Sequence, residues 1–280
     1  ADSVGDSLVL AQWASKTDAS IIVLCGVHFM GETAKILCPD KKVLVPDLNA
    51  GCSLADSCPA DDFKKFVRNN PGYTVISYVN TSAAVKAVTD VVVTSTNARQ
   101  IVESFPTEEK IIFGPDRNLG NYINSITGRN MKLWDGACHV HEEFSLEKIL
   151  DLKKQYPDAL ILAHPECKKV ILMLADKIGS TAALLKYATE SSAKKFIVAT
   201  ESGILHEMKK SNPDKTFIPA PPNDSTCACN ECNFMRLNTM KKLYLTLKYE
   251  LPEIKVDKDI ADRAVLPIKK MLDISSKLGL

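Results

Sequence analysis

The chain has 280 residues, 45% of them hydrophobic and 25% charged, with 12 Gly and 14 Pro, which is enough apolar material for a sizeable core and carries no signature of disorder. Its 35 Lys and Arg against 34 Asp and Glu leave a formal charge of +1, so there is no general attraction to nucleic acid or to an anionic membrane surface. No apolar run reaches the roughly 18 to 20 residues that span a bilayer, and Ala1-Asp2-Ser3-Val4-Gly5-Asp6 has neither a basic nor an apolar leader region, so the expectation is a cytoplasmic protein acting on small molecules.

Short β-branched runs mark strands at 20–25, 42–45, 74–79, 90–93, 110–113, 159–162 and 195–199. Between them lie helical stretches. The segment 60–67 places Asp61 and Asp62 early and Lys64 and Lys65 late, as a helix dipole favours, and Ser145 is placed to cap a further helix. Wholly apolar strands alternating with helices predict an α/β fold with parallel sheets covered on both faces.

An internal repeat organises these elements. Asn70-Pro71-Gly72-Tyr73, leading to Tyr78, returns 86 residues later as Tyr156-Pro157-Asp158-Ala159 leading to His164. Ser95 is answered by Ser180 and the strand from Lys110 by that from Lys195, both at 85 residues, while Ser7 precedes Ser95 by 88. Cys52 and Cys138 stand 86 apart, and the group Cys227, Cys229 and Cys232 closes the next unit. Three similar parallel-sheet αβα units follow: 1–58, 59–142 and 143–236, with helices of 237–280 expected to pack on the first. The counterpart of the strand ending at Tyr78 falls ahead of residue 1, so the first unit is expected to lack its first strand.

Nine cysteines are many for a cytoplasmic chain, and a chain this long with no export signal is no disulfide scaffold, which leaves metal or redox chemistry. Thiolates at the ends of repeated units suit iron or zinc. On its own, Cys227-Ala228-Cys229-Asn230-Glu231-Cys232 reads as half a zinc site or, second to that, as a redox pair, and Cys229 with Cys232 has the spacing of an oxidisable disulfide. Cys25, Cys38 and Cys167, in or beside apolar elements, read as small buried hydrophobes. Ser7, Ser95, Ser180 and Thr181 fall where strands give way to helices, the N-cap position that offers hydroxyl and backbone N–H groups to a carboxylate or phosphate.

The strings 26–37, 46–56, Gly114-Pro115-Asp116-Arg117-Asn118-Leu119-Gly120 and His164-Pro165-Glu166-Cys167 resemble those of bacterial quinolinate synthases, and the resemblance covers nearly the whole chain. It implies three α/β domains related by pseudo-threefold symmetry around a central active site. It further implies a [4Fe–4S] cluster held by Cys52, Cys138 and Cys232 with one iron open to substrate, Cys232 being preferred to Cys227 and Cys229 for the Cys-x-x-Met-x-x-Asn-Thr pattern that follows it. The implied substrates are iminoaspartate and dihydroxyacetone phosphate, with a functional link to L-aspartate oxidase and no nucleic-acid or membrane partner. Glu166 is the expected general acid/base, Tyr78 a carbonyl-polarising group, and Asn80, His164 and the four hydroxyls are expected to bind substrate. His141 stays open between scaffold and a donor close to the cluster. Members of that family carry an N-terminal His-x-Tyr or Tyr-Tyr motif that this chain begins too late to include, which keeps a second reading alive: a catalytically impaired cluster- or zinc-binding protein of the same fold.

Overall fold

The computed structural model describes residues 1–224 and 231–280; Cys227 and Cys229, and with them the expected Cys229–Cys232 pair, lie outside the described residues. Among the described residues ten strands, all in parallel pairs, form three sheets: β1 (Ile21–Val23) with β2 (Lys42–Leu44); β3 (Thr74–Tyr78), β4 (Val91–Val93), β5 (Ile111–Gly114) and β6 (Lys132–Leu133) in the order β4-β3-β5-β6; and β7 (Leu160–Ala163), β8 (Lys177–Ile178), β9 (Lys195–Ala199) and β10 (Thr216–Pro219) in the order β8-β7-β9-β10. The two four-stranded sheets therefore have the same topology, element for element, and this is the α/β repeat expected from the sequence. Buried β-branched residues such as Val91, Val92 and Val93, all without solvent exposure, need a sheet covered on both faces, and a parallel sheet with crossover helices provides one.

Contacts divide the chain into two compact units, Ala1–Gly136 with Asn233–Leu280, and Ala137–Cys232. In the first, Ile22, Leu24, Val43, Val45 and Ile254 build one core and Cys58, Phe63, Val75, Val85 and Ile112 another. The 20-residue helix Lys258–Lys277 packs on the helix His28–Leu37 and equally on β4 and the short helix Ala83–Lys86. It thus joins the segment 1–58 to the following one, and Asn97 Nδ2 donates to Ser275 Oγ at 2.9 Å inside that contact. The second unit has its own core of Leu162, Leu184, Ala188, Phe196, Val198 and Met208.

The predicted helices are present as Ala60–Arg68 and Leu146–Gln155, the latter capped by Ser145, whose Oγ accepts from Lys148 N. Three of the four residues expected at N-caps, Ser7, Ser95 and Thr181, are not caps. Asp6 caps the helix Ser7–Lys16, accepting from Leu8 N and Val9 N, because its carboxylate reaches two orphan N–H groups that Ser7, inside the first turn, cannot. Ser95 lies in a turn ahead of Asn97, which caps Ala98–Glu103 by position and whose Oδ1 accepts from Thr94 N. Ser180 is the cap of Thr181–Glu190, accepting from Ala183 N at 3.3 Å, and Thr181 is that helix's first residue. Cys38 and Cys167 are buried as expected, but Cys25 is exposed, since it follows β1 at the point where the chain leaves the sheet. No helix among the described residues is long and apolar enough to cross a membrane.

Candidate functional site

In the second unit the polar groups gather where β7 and β9 end. His164 directly follows β7 and its backbone N–H donates to Ala199 O, which fixes the residue at the edge of the sheet's carboxyl end, the usual ligand side of a parallel sheet. Two residues on, the Glu166 carboxylate sits between two imidazoles: Oε1 is 3.6 Å from His164 Nδ1 and Oε2 is 3.2 Å from His141 Nδ1. The rings of His141 and His164 stack with centroids 4.9 Å apart and planes 28° apart. All three side chains are buried.

This geometry fixes proton positions. The backbone N–H of Glu166 donates to His164 Nδ1 at 3.4 Å, so the neutral His164 ring carries its proton on Nε2. Burial brings the His164 pKa down to about 4, with the nearby Glu166 charge opposing the shift and His141 adding to it, so at neutral pH the ring is uncharged. His141 Nε2 lies 3.1 Å from Thr200 Oγ1, one residue past β9. Cys138 precedes the four-residue helix His139–Glu142, which brings Cys138 and His141 onto one side of a single turn. Cys232, half-buried, donates its backbone N–H to Glu201 Oε1 at 3.3 Å.

In the first unit, Cys52 occupies the matching position: it precedes a four-residue helix, Ser53–Asp56, in extended conformation, and is half-buried. Beside it lies Lys86, which has no solvent exposure. Its ammonium donates to Val79 O at 2.8 Å and to Thr81 O, and stands 5.5 Å from the centre of the Phe29 ring. Burial brings the Lys86 pKa down to about 8, against the upward pull of Glu32 and Cys52. Tyr78 closes β3 and is buried, and Asn80 follows half-buried in a bend held by Thr81 Oγ1 donating to Tyr78 O.

Of the residues expected from the sequence, the structure thus groups Cys138, His164 and Glu166 in one unit with His141, and Tyr78 and Asn80 in the other. Lys86 and Thr200 were not expected. A lysine in Ala83-Ala84-Val85-Lys86 reads as an exposed helix residue, and nothing in the sequence marks it otherwise. Thr200 had a signal, since it falls at the repeat position of Pro115, next to the carboxylates Asp116 and Glu201.

Comparison with known proteins agrees with the resemblance noted in the sequence. The family described as NadA: Quinolinate synthetase A protein matches residues 1–273. The chain is 57% identical over 275 residues to a quinolinate synthase of Chloroherpeton thalassium, covering 98% of this chain and 85% of that protein. It is 56% identical over 275 residues to the quinolinate synthases of Thermosynechococcus vestitus and of a Synechocystis species, in both cases covering 98% of this chain and 86% of the relative.

Proposed function

The chain belongs to the quinolinate synthase family, and we propose that it condenses iminoaspartate with dihydroxyacetone phosphate, releasing phosphate and two waters to give quinolinate. What carries the reading is the Glu166 carboxylate, buried between two imidazoles in a chain more than half identical to quinolinate synthases. An enzyme that oxidises L-aspartate to the imine would supply the first substrate, and the reaction needs neither nucleic acid nor membrane.

A [4Fe–4S] cluster on Cys52, Cys138 and Cys232 fits the donors present. These three cysteines are half-buried and so accessible to a bound group, whereas Cys38, Cys58 and Cys167 are buried. Lys86 places a positive charge near Cys52, which favours the thiolate that iron requires. When bound, such a cluster supplies a Lewis acid for a substrate carboxylate or hydroxyl.

The protein's own groups handle protons and orientation. Glu166 is the general acid/base, because buried carboxylate oxygens beside neutral imidazole can take a proton from substrate carbon and return one to a leaving oxygen. His164, neutral with its proton on Nε2, donates a hydrogen bond to a substrate carboxylate without adding a second buried charge. Tyr78 polarises a carbonyl and Asn80 orients it, both at the end of β3. Ser7, Ser95, Ser180 and Thr181 supply hydroxyls to carboxylate and phosphate groups.

The test is steady-state quinolinate formation with iron content matched between variants. Anaerobically prepared protein should carry about four irons and four sulfides per chain. Glu166→Gln should lower kcat by about 10² to 10⁴ with iron unchanged, and a variant within about threefold of the parent would remove Glu166 from the chemistry.

A further inference from the structure

One thiol, one imidazole and one carboxylate of the second unit are close enough to share a single ion. The donor atoms of Cys138, His141 and Glu166 all lie within 4.8 Å of one another. Ligands on a tetrahedral ion with bonds of 2.0 to 2.3 Å are about 3.3 to 3.8 Å apart, so closing the set needs side-chain shifts of about an ångström. His141 Nδ1 and Glu166 Oε2, at 3.2 Å, are already at that spacing.

The hydrogen bonding leaves a place for an ion. Among the described residues His141 Nδ1 is buried with no hydrogen bond, and its 3.2 Å approach to Glu166 Oε2 lacks hydrogen-bond alignment. In the tautomer that carries the ring proton on Nε2 and donates it to Thr200 Oγ1 at 3.1 Å, the one a metal ligand through Nδ1 requires, the Nδ1 lone pair faces a carboxylate oxygen. In that tautomer two electron-rich atoms meet in the interior, and a cation between them relieves the cost. A ligating imidazole that donates its other N–H to an oxygen is also the usual support of a metal site, and Thr200 is in place for it. Cys138 and His141, three residues apart across one turn, complete the chelate.

We propose that Cys138, His141 and Glu166 bind one divalent transition-metal ion of the zinc and ferrous class when the protein holds no cluster. One thiolate, one imidazole and one carboxylate select that class over Mg²⁺ or Ca²⁺, which take oxygen ligands. Three protein ligands leave a fourth position open. In one respect the inference rests on the proposed function: Cys138 is also assigned to the cluster, so ion and cluster exclude each other, and zinc bound first blocks iron-sulfur assembly.

The experiment uses the full chain, freed of cluster and kept anaerobic, titrated with Co²⁺ as a spectroscopic probe and then with Zn²⁺. One Co²⁺ per chain is expected, with the visible bands of a four-coordinate ion and a thiolate-to-cobalt charge-transfer band, and Zn²⁺ should displace it. Cys138→Ser should abolish the charge-transfer band, and His141→Gln and the near-isosteric Glu166→Gln should each weaken binding at least tenfold, with far-UV circular dichroism verifying that each variant is folded. Cys52→Ser should bind Co²⁺ as the parent does while taking up no cluster. Cobalt bands that survive in His141→Gln and Glu166→Gln, or that vanish in Cys52→Ser, would assign the ion to the cluster cysteines and overturn the proposal. Failure of the parent to take up iron and sulfide would instead sink the cluster reading, whatever the cobalt result.

Discussion

The ammonium of Lys86 donates to the carbonyl of Val79 at 2.8 Å from a side chain wholly withdrawn from solvent. It also reaches Thr81 O, so a single buried cation ties together the bend that follows β3 and carries Asn80. Removing the cation while leaving the carbonyls uncovers backbone acceptors and opens a cavity, so Lys86→Ala should cost about 3 kcal/mol or more in urea unfolding. Lys86→Met, which fills the volume without a charge to desolvate, should cost less than half as much. Equal losses in the two variants would mean that the hydrogen bonds to the bend, lost in both, account for the cost and that the cavity contributes little.

Cys58 gives a pH-dependent expectation with a definite sign. Burial pushes its thiol up to about 12, and no partner that would hold a thiolate opposes the shift. Because the folded value lies above the unfolded one of about 8.5, the contribution is complete below that pH and is lost as pH rises toward 12, by about 1.4 kcal/mol per unit. The stability difference between the parent and Cys58→Ala should therefore shrink from pH 8.5 to 10. At pH 8 Cys58 should resist iodoacetamide in folded protein and react in urea, as read by peptide mass spectrometry.

Much of the fold was legible in the sequence because the repeat writes the same strand order in both four-stranded sheets. Runs such as Val91–Val93 and Lys195–Ala199 announce buried strands. Lys132–Leu133 and Lys177–Ile178 do not: each is a two-residue edge strand led by a lysine, held by its neighbour's hydrogen bonds and carrying no apolar run of its own. In the site, Glu166 and His164 were readable from their motif and Cys138 from its spacing. His141 stayed ambiguous because its role depends on which side chain its ring meets, and Lys86 was invisible because burial of a charge is decided by tertiary packing.

Gly136 should tolerate no side chain. A Cβ there would stand 2.5 Å from Pro115 O and closer still to Ser57 Oγ, where the backbone passes in contact with the turn that starts the helix Arg117–Thr127. Arg117 N also donates to Gly136 O at 2.8 Å, so the strand of chain cannot back away without losing that bond. Gly136→Ala should cost about 2 kcal/mol or more in thermal or urea unfolding. Adding Ser57→Ala should not restore stability, because the Pro115 carbonyl remains in the way; recovery in the double variant would place the clash on the serine alone.

Ser180 and Ser145 form a matched pair that separates capping from substrate binding. Each is a buried N-cap in the second unit whose Oγ accepts from the backbone N–H three residues on at 3.3 Å, Ser180 from Ala183 and Ser145 from Lys148. As caps they are equivalent, and Ser180→Ala and Ser145→Ala should each lose about 1 kcal/mol of stability. They differ in what the proposed function asks of them, since only Ser180 is assigned a substrate carboxylate or phosphate. A lost hydrogen bond to a charged group is worth about 1.5 to 3 kcal/mol, so Ser180→Ala should raise KM by roughly tenfold to a hundredfold while Ser145→Ala leaves it unchanged. The comparison is made on variants with equal iron content, and a KM for Ser180→Ala within about twofold of that for Ser145→Ala would leave Ser180 as a cap and nothing more.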